Sequence, residues 1–458
     1  MIKFGTDGFR GVIAEDFTFK NVELIARALA VYLSENFTKK EITAGVLVGY
    51  DRRFASDKFA KHFARTLSQN NIPVFLTHMC VPTPAISWAV RKMRLVSGVI
   101  ITASHNPPIF NGVKIKNRFG ASVTGEVTSQ IERLISRPKK ITRPRIAKIK
   151  TVNVTADYIK ALRGYLDLKI LRKSRFKIIV DAMHGVTAGI TEQLIKDTPL
   201  KITTINGGHD PFFGGINPEP IEKNLTALKR ELQTGRYDLG LAFDGDGDRI
   251  GAMCPNGEFI NSHQAICLIL LHLIENRCWR GKVVKTINTT NQVDKITKYY
   301  ELPLEVVPVG FKNIAAQMIK NDVLLGGEES GGIGFKNYMP ERDGILSGLL
   351  LLELMACRKM SIAAIIKDME KRFGCFRYMR RDLGVKKIKS AKPIKNFKQI
   401  CGEKVVKIED YDGKKFNLED DSWLLIRASG TEPIVRIYAE AHTLTQTRRL
   451  IRFGAGLL

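Results

Sequence analysis

The sequence predicts an α/β protein of three or four domains, with mostly parallel sheets and a tail of α+β texture. Three observations carry that reading. The chain has 458 residues, far too many for one compact domain. Apolar β-rich runs alternate with longer stretches of helical period, the pattern of helices laid over parallel sheets. Three of these runs also end in polar or glycine-rich loops, at the strand ends where open parallel sheets bind ligands.

The elements follow in chain order. Residues 21–36 and 57–70 read as helices around a strand at 45–50 (GVLVGY), and a second strand covers 96–104. The basic run that ends at 150 is interrupted by Pro138 and Pro144, so 136–150 reads as a linker closing a first domain, 1–150. A helix at 156–168 and strands at 176–183 and 237–243 build a second domain, 151–256, which ends near the turn-like CPNGEF. A long helix at 261–277 and strands at 281–287 and 322–327 open a third, 257–371. Shorter pieces with YDGKK turns mark 372–458 as an α+β domain.

Composition excludes several classes. The greasiest runs, 265–274 and 348–357, are about half the length a bilayer needs and are interrupted by His or Glu. The N-terminus lacks a basic head followed by an apolar run, so a cytoplasmic protein without a membrane partner is expected. The seven cysteines are scattered with no C-x-x-C, which argues against a disulfide framework or a zinc site. A formal charge of +26 raises nucleic-acid binding. Yet the densest basic run, 133–150, holds no aromatic residue to stack a base, and the remaining excess is spread along the chain. A solvated basic surface and no nucleic-acid partner are expected; the same field favours small anionic substrates.

Chemistry concentrates in four loops. In LAFDGDGDRIGA (241–252), Asp244, Asp246 and Asp248 alternate with glycines, letting a tight loop turn three carboxylates toward one point. The plain alternative is an acidic surface turn. Bare, the cluster is costly; around a hard divalent cation it becomes favourable. An EF-hand fails on spacing, because its Gly and Glu positions fall on Arg249 and Pro255. Mg²⁺ suits few carboxylates plus a phosphate oxygen, and Arg249 suits an entering phosphate. In TASHNPPIFNGVKIK (102–116), Ser104 sits at a strand end before His105 and a sharp Asn106-Pro107 turn, and Lys114 can be carried back beside it. No G-x-S-x-G is present, so a hydrolase elbow is disfavoured. GGEESGG (326–332) offers Glu328, Glu329 and Ser330 for sugar hydroxyls. RASGTEP (427–433) offers guanidinium, hydroxyl and backbone donors for a phosphate.

These loops, with GTDGFRG (5–11), GYDRR (49–53), NPEP (217–220) and PERDG (340–344), resemble the α-D-phosphohexomutase superfamily over essentially the whole chain. The resemblance implies four domains around a central cleft: three related α/β/α domains with mixed, mostly parallel sheets, and a C-terminal α+β domain. It implies an intramolecular phosphotransferase that interconverts hexose 1-phosphate and hexose 6-phosphate through a phosphoserine and a hexose 1,6-bisphosphate. Ser104 would be the phosphorylated nucleophile, and Mg²⁺ would be held by Ser104, Asp244, Asp246 and Asp248. Arg10, His105, Lys114 and Arg249 would complete the catalytic set. Glu328, Ser330, Gly310, Arg427, Ser429, Gly430 and Thr431 would bind substrate. A small-molecule hexose phosphate is the expected partner, and the chain is expected to be a monomer or homodimer.

G-E-E-S resembles the glucose-preferring members. Mannose and glucosamine enzymes more often carry Met or Gln at the place of Glu329 and His at the place of Gly332. Phosphoglucomutase is therefore the expected activity, with phosphomannomutase or phosphoglucosamine mutase as the alternative. A catalytically inactive sugar-phosphate-binding protein is the reading from a different class.

Overall fold

The computed structural model describes residues 2–137, 146–384, 394–429 and 434–458. Four sheets organise them. The first has seven strands in the spatial order Phe4–Gly5, Gly8–Val12, Phe110–Asn117, Ser97–Ile101, Val46–Tyr50, Val74–Thr77 and Ile149–Val152. The second runs Phe259–Ile260, Ile250–Met253, Leu239–Phe243, Lys177–Asp181, Lys201–Ile205. The third runs Leu304–Val307, Lys282–Thr286, Val323–Gly327, Ile333–Phe335. Strands such as Ser97–Ile101 and Leu239–Phe243 are buried along their whole length, as expected where helices cover both faces of a sheet.

One arrangement recurs in these three sheets. A strand that pairs parallel to its neighbour turns through a loop into an antiparallel partner: Ser97–Ile101 into Phe110–Asn117, Leu239–Phe243 into Ile250–Met253, Val323–Gly327 into Ile333–Phe335. The three polar loops read from sequence are these connections. The fourth sheet, six strands from Arg377–Gly384 to Gln399–Ile400, is antiparallel throughout and packs the helix Leu444–Gly456 on one face.

Sheet membership departs from two expected boundaries. Ile149–Val152 lies in the expected linker and extends past 150, yet pairs parallel to Val74–Thr77 in the first sheet. Most of that edge strand is exposed, so its composition looks like a linker. Phe259–Ile260 closes the second sheet beyond residue 256 by pairing with Ala252 and Met253. The expected helix at 261–277 is an α-helix only over Ser262–Leu271, followed by a π-helical turn over His272–Asn276. The helix expected at 156–168 ends at Tyr165, and Asp167 caps a short one over Leu168–Leu171.

The two greasy runs form the helices Ser262–Leu271 and Gly344–Arg358, buried nearly all round between the second and third sheets. Among the described residues, no helix is long and apolar enough to cross a membrane.

Candidate active site

The loop Asp244–Arg249 joins two antiparallel strands whose last pair is Phe243 with Ile250. Gly247 takes φ +72°, and a Cβ on Gly245 would meet the Ser104 carbonyl oxygen at 2.8 Å. Glycine therefore allows both the turn and the approach of the first domain. All three carboxylates are fully buried, and one oxygen from each lies within 4.8 Å of the others.

The first domain meets this loop directly. Ser104, fully buried at φ +53°, donates its hydroxyl to Asp244 Oδ2 at 2.7 Å. Lys114, on the antiparallel strand Phe110–Asn117, sends Nζ to Asp246 Oδ2 and Asp248 Oδ2, both at 2.7 Å, and to Asp7 at 2.8 Å. Thr83 donates a hydroxyl and a backbone N–H to Asp246. His105 is half-buried, with Nδ1 3.5 Å from Ser104 Oγ.

The serine loop is held from below by Arg53. Its guanidinium donates to the carbonyl oxygens of Ser104, Asn106, Pro107 and Phe110, rests on the Phe213 ring, and lies 3.3 Å from Asp51. Five N–H donors in a fixed fork suit four converging carbonyls as an ammonium would not.

The third domain enters through Arg342. One end donates to Glu328 at 2.7 Å; the other donates to Asp248 at 3.0 Å and to Asp7. Ser330 also donates to Glu328, at 2.6 Å. Three strand-end loops from three domains thus converge on one cluster. Asp7, Arg53, Thr83 and Arg342 were missed as site residues at the sequence level. Asp7, Arg53 and Arg342 lie inside the short motifs GTDGFRG, GYDRR and PERDG, so the signal was present without a geometry to interpret it.

The cluster is electrostatically divided. Burial and the neighbouring carboxylates of Asp248 and Asp246 push the Asp244 carboxyl well above its ordinary range. Burial also works against charge on Asp246, but Lys114 and Thr83 outweigh it and hold that carboxyl low. Lys114 is the converse case: burial opposes its charge, while Asp246, Asp248 and Asp7 keep its pKa above the usual lysine value. Burial and the cations Arg249, Arg10, Lys114 and Arg342 keep His105 neutral.

The donor set fits a hard divalent cation. It is all oxygen, and Oδ1 of Asp246 and of Asp248 are buried with no hydrogen-bond partner. A second grouping, His272, Glu353 and Cys357, is different. Arg277 makes two 2.7 Å bonds to Glu353 there, so its charge is already matched.

The remaining expected residues divide. Arg10 donates to Asn106 of the serine loop and stands 3.8 Å from Asp7. Arg249 stays beside the cluster, its Nε 3.9 Å from Asp248, while its backbone N–H donates to Asp244. Gly310 begins the helix Phe311–Lys320 at φ +120° near Thr6. Arg427 is held by Asp412, which also accepts from the Val309 N–H of the third domain. The Ser429 N–H donates to Ile434 at 2.9 Å. Gly430 and Thr431 lie outside the described residues. Glu329 is not turned toward Arg342 and the carboxylates: its carboxylate accepts from the Tyr378 hydroxyl at 2.7 Å.

Models of the phosphoglucomutase/phosphomannomutase α/β/α domains I, II and III match residues 1–142, 156–257 and 261–373, and that of the C-terminal domain matches 385–453. The chain belongs to this family. It is accordingly an isomerase of the phosphohexomutase type, acting by phosphotransfer. A Thermococcus kodakarensis phosphoglucomutase/phosphomannomutase is 30% identical over 99% of this chain and 98% of its own length. A Sulfurisphaera tokodaii phosphoglucosamine/phosphogalactosamine mutase is 29% identical over 96% and 95%. A solved structure from Thermus thermophilus, assigned as a phosphomannomutase, is 34% identical with a TM-score of 0.88, covering 100% of this chain and 98% of that one. None of these three relatives is named for glucose alone.

Proposed function

We propose that this phosphohexomutase interconverts hexose 1-phosphate and hexose 6-phosphate through a phosphorylated Ser104, with mannose or glucosamine phosphates as substrates ahead of glucose. The observation that carries the reading is Ser104 Oγ 2.7 Å from Asp244, beside Lys114 in contact with both other aspartates.

Ser104, Asp244, Asp246 and Asp248 would hold Mg²⁺, which when bound withdraws charge from the transferring phosphoryl group. The protein's own groups carry the rest. Arg53 and the Asp244 loop hold Ser104 in place, which matters because phosphoryl transfer depends on in-line placement. Lys114 keeps its proton while Asp7, Asp246 and Asp248 surround it, so it is set to donate to the oxygen that leaves. His105, neutral and 3.5 Å from Ser104 Oγ, adds no charge beside the serine, whose hydroxyl is donated to Asp244. Arg10 and Arg249 bring positive charge to a phosphate that enters among carboxylates. Glu328 and Ser330 would bind sugar hydroxyls. Arg427 and Ser429 would hold the phosphate that does not react, so either end of the hexose can face Ser104.

Intact-mass measurement tests the chemistry. The purified chain should carry a labile phosphate that is absent in Ser104→Ala, and hexose 1,6-bisphosphate should restore it after removal. A chain that never takes up phosphate would be the inactive binding protein. Rates with mannose, glucosamine and glucose 1-phosphate, each primed with its bisphosphate, rank the sugars; a dominant glucose rate would overturn the substrate order.

A further inference from the structure

Neighbouring residues of the Gly327–Gly332 loop engage different domains. Glu328 reaches Arg342 and through it Asp248. Glu329 reaches the C-terminal sheet: its Oε1 accepts from the Tyr378 hydroxyl and lies 3.8 Å from Arg380, while its carbonyl accepts from Ser262. Tyr378 is well anchored. Its ring packs edge-on against His263 at 4.3 Å and belongs to the apolar contact of Ile287 with Trp423, Leu425 and Tyr438. It also sits in register with Glu440, which pairs with Trp423 on the next strand. That strand, Trp423–Ala428, ends beside Ser429 and carries Arg427. The Tyr378 hydrogen bond, with Arg380 beside it, therefore joins the sugar loop to the sheet that bears the phosphate-binding arginine.

We propose that Glu329 is a positioning residue that couples the sugar loop to the C-terminal phosphate site through Tyr378. It does not read the identity of the sugar. The inference rests on the proposal that Arg427 and Ser429 hold the non-reacting phosphate. Phosphate held there orders the sheet, and through Tyr378 it orders Glu328 and Ser330 for the hydroxyls. Coupling between two sites of this kind is reciprocal and worth about 5-fold or more.

The test is hydrogen exchange of the 328–332 amides on the full chain, with inorganic phosphate as the probe. Phosphate should slow exchange about 5-fold or more in the wild type and leave it unchanged in Arg427→Ala. Tyr378→Phe and Glu329→Ala should lose the response. Glu329→Gln, whose side-chain carbonyl still accepts from the hydroxyl, should keep it. In kinetics, Tyr378→Phe should raise KM for mannose and glucosamine 1-phosphate by the same factor. A wild-type response retained in Tyr378→Phe or in Arg427→Ala, no response in the wild type, or a changed sugar ratio in Glu329→Gln would each overturn the coupling. Phosphate on Ser104 is read separately by mass, so a phosphorylated chain with an uncoupled loop loses only this inference.

Discussion

Replacing Lys114 with Met keeps all but the last atom of the side chain and removes its charge from among three carboxylates at 2.7–2.8 Å, two of them fully buried. The cluster then carries one excess negative charge. Its cheapest remedy is for one aspartate to bind a proton. An ordinary aspartate has a pKa near 3.9, so holding a proton at pH 7 costs about 3 pH units, or about 4 kcal/mol; at pH 5 it costs about 1.5 kcal/mol. The pH 7 value lies within the range of about 3–5 kcal/mol for breaking a buried ion pair. The variant should therefore be strongly destabilised at pH 7 and approach the wild type as the pH falls. Urea unfolding in chelator at the two pH values, read at the first transition, measures this. Added Mg²⁺ should restore more stability to the variant than to the wild type at pH 7. An equal loss at both pH values would refute the reasoning, because it would trace the effect to packing and not to charge.

Arg53→Lys keeps a cation beside Asp51 but cannot match four carbonyls. Each lost charge-assisted bond is worth about 1.5–3 kcal/mol, so exchange of the 104–110 amides should rise and Ser104 phosphorylation should slow at least about tenfold. Unchanged exchange in that segment would remove Arg53 from the account. Thr83→Val removes a buried hydroxyl donated to Asp246 and should cost about 1.5–3 kcal/mol of stability and lower Mg²⁺ affinity several-fold; calorimetric titration decides. Chelation should abolish turnover, and Mg²⁺ should restore it. Glu353 gives an acid limb of stability. Burial raises its carboxyl, but His272 and Arg277 outweigh burial and bring it down to about 2. A carboxyl depressed on folding stabilises above its unfolded pKa and loses that stabilisation as pH falls, here from about 4.5 to about 2, by about 3 kcal/mol. Glu353→Gln should flatten that limb in thermal melts between pH 2.5 and 6.

Much of the fold was legible because strands such as Leu239–Phe243 are short apolar runs ended by glycine and aspartate, and the amphipathic helices flanking them repeat with helical period. Ile149–Val152 was not, because an exposed edge strand has no apolar alternation to detect. The site was legible where chemistry requires unusual local sequence: alternate aspartates with glycines, or a serine before Asn-Pro. Arg53 and Arg342 were not, since a lone arginine in a motif looks the same whether it clamps carbonyls or faces water.

Residue order alone therefore determined the α/β class, the acidic triplet, the serine loop and the superfamily, because each depends on contacts within a few residues. Only the tertiary structure decided that Lys114 is enclosed by three carboxylates from two domains. It alone also decided that Arg342 joins Glu328 to Asp248, and that Glu329 accepts from the Tyr378 hydroxyl of the C-terminal sheet. Those facts depend on where long-range packing brings side chains together, and a partner 49 to 134 residues away leaves no local mark on the sequence beside it.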